Sequence, residues 1–126
     1  MIKAASVGGA GYTGGELARL MCRHPGMELC AVTSRQHAGY SISKAHPFLQ
    51  GFMDLRFEER LSGNDYDVVF TATPHGASME IVPDLLASGV RVIDLSGDYR
   101  LKDPEVYKRW YGHGHKDLPN LNKAVY

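Results

Sequence analysis

The sequence predicts an α/β fold, a Rossmann-like doubly wound parallel sheet forming a single domain over residues 1–126, and three observations carry that expectation. An apolar run, a glycine cluster and a helical pattern follow one another without interruption from Ile2 to Cys22. Short apolar runs at 27–33, 68–73 and 90–95 are separated by helical or irregular stretches, the order expected of parallel strands joined by crossovers. These runs end in small or polar residues, and in an open α/β sheet ligands bind at the carboxyl ends of strands.

Composition sets the bounds on function. With 44% hydrophobic and 22% charged residues, the 126-residue chain suits one globular core. Lys+Arg and Asp+Glu both number 14, so no global field favours nucleic acid and any anion site must be local. No apolar run approaches the roughly 20 residues needed to span a bilayer, and the amino terminus enters a strand instead of a signal-peptide pattern. The expectation is a cytoplasmic protein with neither a membrane nor a nucleic-acid partner. Cys22 and Cys30 fall on a predicted helix face and a predicted buried strand, without metal-ligand spacing or an activating polar neighbourhood, so both read as small core residues. No metal site is expected.

The first strand is Ile2–Val7, and the first helix continues through 16–22. Between them two glycine frames overlap: Gly9-x-Gly11-x-x-Gly14, the dinucleotide fingerprint, and Gly8-x-x-Gly11-x-x-Gly14, with one more residue in the turn. Either frame serves the same chemistry. Residues lacking a β-carbon let the backbone approach a pyrophosphate, while the free amides and positive end of the following helix attract its charge. His24-Pro25-Gly26 ends the helix, and Met27–Thr33 reads as the second parallel strand. In this fold an acid about 20 residues past the glycines usually holds the adenosine ribose. Here Ser34 follows Gly14 by 20 positions, and Arg35 and Gln36 come next, so no acid is present. A hydroxyl beside a guanidinium suits a ribose phosphate and prefers NADP to NAD. An isolated arginine is ordinarily a solvated charge; its place after the second strand is what assigns Arg35 to phosphate.

Residues 37–61 are punctuated by Gly39, Pro47 and Gly51, and predict loops, a short helix near Pro47 and a weak strand over 55–58. Surface or capping roles are expected for most of the histidines. Val68–Thr73 is the clearest buried strand. It leads through Pro74-His75-Gly76 to a helix over 79–89, in which Pro83 should mark a turn or kink. His75 could meet cofactor or substrate, or its ring nitrogen could secure the loop. Val90–Leu95 is the next strand and stops at Ser96-Gly97-Asp98. Pro104 opens a short helix that carries Val106, Tyr107 and Trp110 at packing spacing, and from Gly112 the chain reads as loop. The abrupt apolar end at Tyr126 creates the expectation that the natural chain continues.

Four segments together resemble one family: Gly8–Leu17, Thr33-Ser34-Arg35, Pro74-His75-Gly76 and Val92–Leu101. They are similar to the amino-terminal part of the N-acetyl-gamma-glutamyl-phosphate reductases, including related reductases that act on carrier-protein-linked glutamyl or aminoadipyl phosphates. The resemblance implies an NADP-dependent reduction of an acyl phosphate in arginine or lysine biosynthesis, by a homo-oligomeric enzyme. In that family a cysteine thiolate attacks the acyl phosphate, phosphate leaves, and hydride from NADPH reduces the thioester to the aldehyde. The family's nucleophilic cysteine, in a Gly-Asn-Pro-Gly-Cys-type segment, and its histidine base match nothing in this chain. The resemblance therefore implies an NADP-binding domain without independent catalysis, lacking the substrate domain. It places Gly8, Gly11, Tyr12, Thr13 and Gly14 at the pyrophosphate and Ser34, Arg35 and Gln36 at the ribose phosphate. A free-standing NADP-binding sensor or regulatory module would share the same fold and turn.

Overall fold

The computed structural model of the chain describes residues 1–63 and 65–126. Five parallel strands form one sheet in the order β3-β2-β1-β4-β5: β1 Ile2–Val7, β2 Met27–Thr33, β3 Phe57–Glu58, β4 Val68–Thr71 and β5 Arg91–Asp94. The chain winds outward from β1 to β3, returns to the centre at β4 and then winds the other way. That reversal puts a topological switch point between the carboxyl ends of β1 and β4. The doubly wound expectation is met.

Helix α1, Tyr12–Met21, packs on one face with α2, Ile42–Ala45, and a 3₁₀ turn at Pro47–Leu49. Ala18, Met21, Ile42 and Leu49 meet Ala4, Leu29, Val32, Phe57 and Phe70 there. The opposite face buries Ala5, Ala31, Val69 and Val90 against Leu61, Tyr66 and Leu85. Leu29 and Val32 share a face although strict alternation would separate them. The cause is an irregularity in β2: Leu29 pairs with Ala4 and Ala31 with Ala5, so Cys30 is an extra residue in the ladder.

Helix α3, Ser78–Ala87, connects β4 to β5, and α4, Pro104–Tyr111, and α5, Leu118–Lys123, complete a third cluster around Met79, Val82, Tyr99, Tyr107 and Leu121. Lys102 anchors the end of α5, its ammonium donating to the Leu121, Asn122 and Ala124 carbonyls.

Several expectations are corrected. Pro83 neither ends nor interrupts α3; the helix runs through it and forgoes only the bond that residue 83 would donate to the Met79 carbonyl. Residues 118–123 are helix instead of loop, with Pro119 in the first turn, where its missing N–H has no intrahelical partner to lose. On α4 only Tyr107 is buried; Trp110 is 73% exposed and Val106 37%, because these two share the face turned from the domain. Cys22 and Cys30 are free thiols, each only half-buried. His46 is buried, an exception to the surface or capping roles expected of most histidines.

Candidate functional site

The glycine turn is built from the sheet outward. Gly8 has a left-handed φ of +79°, and a β-carbon there would lie 2.7 Å from the Ala72 carbonyl oxygen, so β1 can pass β4 at the switch point only with glycine. Thr33 clasps the turn from β2: the Gly8 amide donates to its Oγ1 at 3.3 Å and the Gly9 amide to its carbonyl at 2.9 Å. Gly14 is needed for contact, since a β-carbon would stand 2.6 Å from the Gly9 Cα.

Gly11 differs from these. It caps α1 in extended geometry, φ −80°, and a β-carbon there would meet nothing within 4 Å among the described residues. The first bond closing on the helix runs from the Gly15 amide to the Gly11 carbonyl at 2.9 Å, and no side chain caps the end. The amides of Tyr12, Thr13 and Gly14 therefore precede any intrahelical acceptor, at the positive end of the helix dipole. Tyr12 and Thr13 are exposed.

Beside this turn a cleft of about 790 Å³ opens at the carboxyl ends of β1, β2 and β4, walled on one side by α3. Gly8, Ser34 and Arg35 line it together; Gln36 is exposed outside it, and Gly11 to Thr13 stand on the adjoining surface. The Ser34 amide extends the sheet by donating to the Glu58 carbonyl at 2.9 Å, and its hydroxyl accepts from the His37 amide at 3.2 Å. Among the described residues Arg35 makes no ion pair. Arg60, on the loop after β3, brings a second guanidinium to the cleft. Nothing in the sequence pattern singled it out, because the two loops become neighbours only through the pairing of Thr33 with Glu58. Glu59, Glu80 and Asp84 add acidic groups to the same walls, with Glu80 paired to Lys116 at 3.0 Å.

A polar network secures the loops after β4 and β5. Asp94 accepts from Thr71 Oγ1 at 2.7 Å, Ser78 Oγ at 2.8 Å and Ser96 Oγ at 2.8 Å. Asp98 is fully buried and accepts from the Gly76 amide at 2.8 Å and the Tyr107 hydroxyl at 2.7 Å. His113 Nε2 lies 2.8 Å from that hydroxyl; with the phenol proton engaged by Asp98, the imidazole is the donor. Burial, then the Asp98 carboxylate, pushes the Tyr107 phenol well above its ordinary pKa. His75 secures its loop, its Nδ1 accepting from the Gly97 amide at 3.0 Å. Ser96 to Asp98, noted in the sequence as a polar strand end, thus hold the fold together. Neither cysteine lines the cleft, and desolvation followed by Glu28 raises the Cys30 thiol. No helix of the described residues is long and apolar enough to cross a membrane.

The arrangement sets an uncapped helix end beside a cleft that carries both guanidinium and carboxylate groups. Among solved structures the fold is similar to aspartate semialdehyde dehydrogenase with NADP from Candida albicans, at a TM-score of 0.69 and 24% identity, over 82% of this chain and 32% of that one. Among curated proteins the chain is 51% identical to N-acetyl-gamma-glutamyl-phosphate reductase of Nitrosococcus oceani, over 100% of this chain and 38% of that protein. It is 49% identical to LysW-L-2-aminoadipate/LysW-L-glutamate phosphate reductase of Sulfurisphaera tokodaii, over 100% of this chain and 37% of that protein. The chain thus spans little more than a third of the length of these relatives. The family model described as semialdehyde dehydrogenase, NAD binding domain, matches residues 3–126, and the chain belongs to that family.

Proposed function

We propose that residues 1–126 form the NADP-binding domain of a reductase that converts N-acetyl-gamma-glutamyl phosphate, or a carrier-linked glutamyl or aminoadipyl phosphate, to the semialdehyde. The observation that carries the nucleotide reading is Gly11, a glycine whose own fold leaves the space at its α-carbon open, next to three uncapped helix amides. The pyrophosphate would fill that space, held by the amides of Tyr12, Thr13 and Gly14, with the missing side chain of Gly14 also letting the helix start close to the turn. Ser34 and Arg35 on the neighbouring cleft would hold the ribose phosphate, and Gln36 would close the loop over it. The lack of an acid after β2 favours the phosphate-bearing cofactor, because a carboxylate there would repel it.

Bound NADPH would supply the hydride for reducing the acyl group. This chain's residues orient the cofactor, and the nucleophile and base belong to the part of the relatives' length that it does not cover. The relatives' names support the acyl-phosphate substrates, and the LysW in one of them supports a carrier-protein-linked form.

Calorimetric titration tests the cofactor. NADP should bind more tightly than NAD, and Arg35→Ala should remove about 1.5–3 kcal/mol from NADP binding alone, the range for a charge-assisted contact. Equal affinities for both nucleotides, unchanged by the substitution, would reject the assignment.

A further inference from the structure

His46 is a buried imidazole lodged against the glycine turn from 37 residues away in sequence. Its Nε2 lies 2.7 Å from the Gly9 carbonyl oxygen, so this nitrogen carries the proton and donates. The same ring occupies the space beside α1: a β-carbon on Gly15 would fall 2.6 Å from its Nδ1 and Cε1. The ring is held on other sides as well. Its own amide donates to the Ile42 carbonyl at 3.0 Å, and the ring packs tilted on Phe48 and edge-on to Phe57.

The consequence for the turn is geometric. The Gly9 amide is already fixed by the Thr33 carbonyl, so with His46 on the Gly9 carbonyl both peptide planes flanking Gly9 are held. Two residues, Ala10 and Gly11, separate Gly9 from the amides that form the open end of α1. We infer that His46 is a positioning residue for the nucleotide site: its imidazole bridges the Gly9 carbonyl and the Gly15 face of α1, and thereby sets the direction of the Tyr12, Thr13 and Gly14 amides. It touches no nucleotide itself. The inference rests on the pyrophosphate reading above. It goes further by assigning the shape of that cradle to a side chain on a different segment, packed beside α1 on the same face of the sheet.

The experiment separates the two ends of the ligand. NADP carries a pyrophosphate and a ribose phosphate; 2′-AMP carries only the latter, which Ser34 and Arg35 would read. The 126-residue chain and two variants are titrated with each, after thermal melts establish that they fold. His46→Phe keeps the ring and removes the donor, so NADP affinity should fall about tenfold, the scale of one lost hydrogen bond, while 2′-AMP affinity stays unchanged. His46→Gln, whose side-chain amide can donate from a similar position, should recover most of the loss. A folded His46→Phe that binds NADP as the parent does, or that loses both ligands equally, overturns the inference. A parent chain that binds 2′-AMP but gains nothing from the pyrophosphate overturns the underlying site reading, and the inference with it. If His46→Phe does not fold, Gly15→Ala tests the same contact by pushing the ring away from Gly9. It should show the same selective loss, and an unchanged preference for NADP over 2′-AMP would refute the role.

Discussion

Replacing Gly11 separates a glycine kept for a ligand from glycines kept for the fold. At Gly14 an added β-carbon would sit 2.6 Å from the Gly9 Cα, about 1 Å inside the ordinary carbon–carbon separation of roughly 3.5–4.0 Å. Gly14→Ala should therefore cost about 1–3 kcal/mol of stability or more through overpacking. At Gly11 the backbone is extended and nothing lies within 4 Å, so Gly11→Val loses only the modest capping preference of glycine. That is at most about 1 kcal/mol, or about 4 °C in Tm for a domain of this size. The branched side chain would stand where the pyrophosphate is expected, and NADP affinity should drop by at least about tenfold. Thermal melts and calorimetry on the parent and both variants give the comparison. The reasoning fails if folded Gly11→Val binds NADP as tightly as the parent, for then the turn serves the fold alone.

Other expectations follow from single features. Ser6 is buried in β1 and its hydroxyl has no partner among the described residues, so Ser6→Ala should raise stability by about 1 kcal/mol in urea unfolding; a loss of that size would mean the hydroxyl is satisfied in solution. The Tyr107 phenol is raised above its ordinary 10.0, first by burial and then by Asp98, so the stability it contributes is fully present below pH 10 and is lost as pH climbs towards the folded-state value. Tyr107→Phe should accordingly flatten the decline in Tm above pH 10, and an unchanged alkaline slope would count against the buried phenol. With neither cysteine on the cleft, the 126-residue chain should oxidise no NADPH when given the acyl phosphate; turnover abolished by Cys22→Ser or Cys30→Ser would require a different active site.

The strands β1, β2, β4 and β5 were legible because each is a compact apolar run bounded by glycine, proline or small polar residues, a signal carried by neighbours in the chain. The glycine turn was legible for the same reason. The extra residue at Cys30 was not, since an irregular ladder leaves no mark on an already apolar run. Trp110 was placed in the core because helical spacing shows which residues share a face but not which face the domain covers. The roles of His46 and Asp98 were not legible for a deeper reason: their partners are Gly9, Gly76, Tyr107 and His113, brought together only by the completed sheet and its crossovers. Arg60 belongs with them, being adjacent to Arg35 through strand pairing alone.

The clasp that Thr33 places on the turn also bears on the order of events in binding. With the Gly8 and Gly9 amides engaged from β2, the segment ahead of α1 reaches its shape during folding instead of on contact with ligand. Little chain motion is then left to freeze when a nucleotide arrives, and encounter rather than rearrangement governs how fast it docks. The Tyr12 and Thr13 side chains at this end are exposed, ahead of a turn already held from β2.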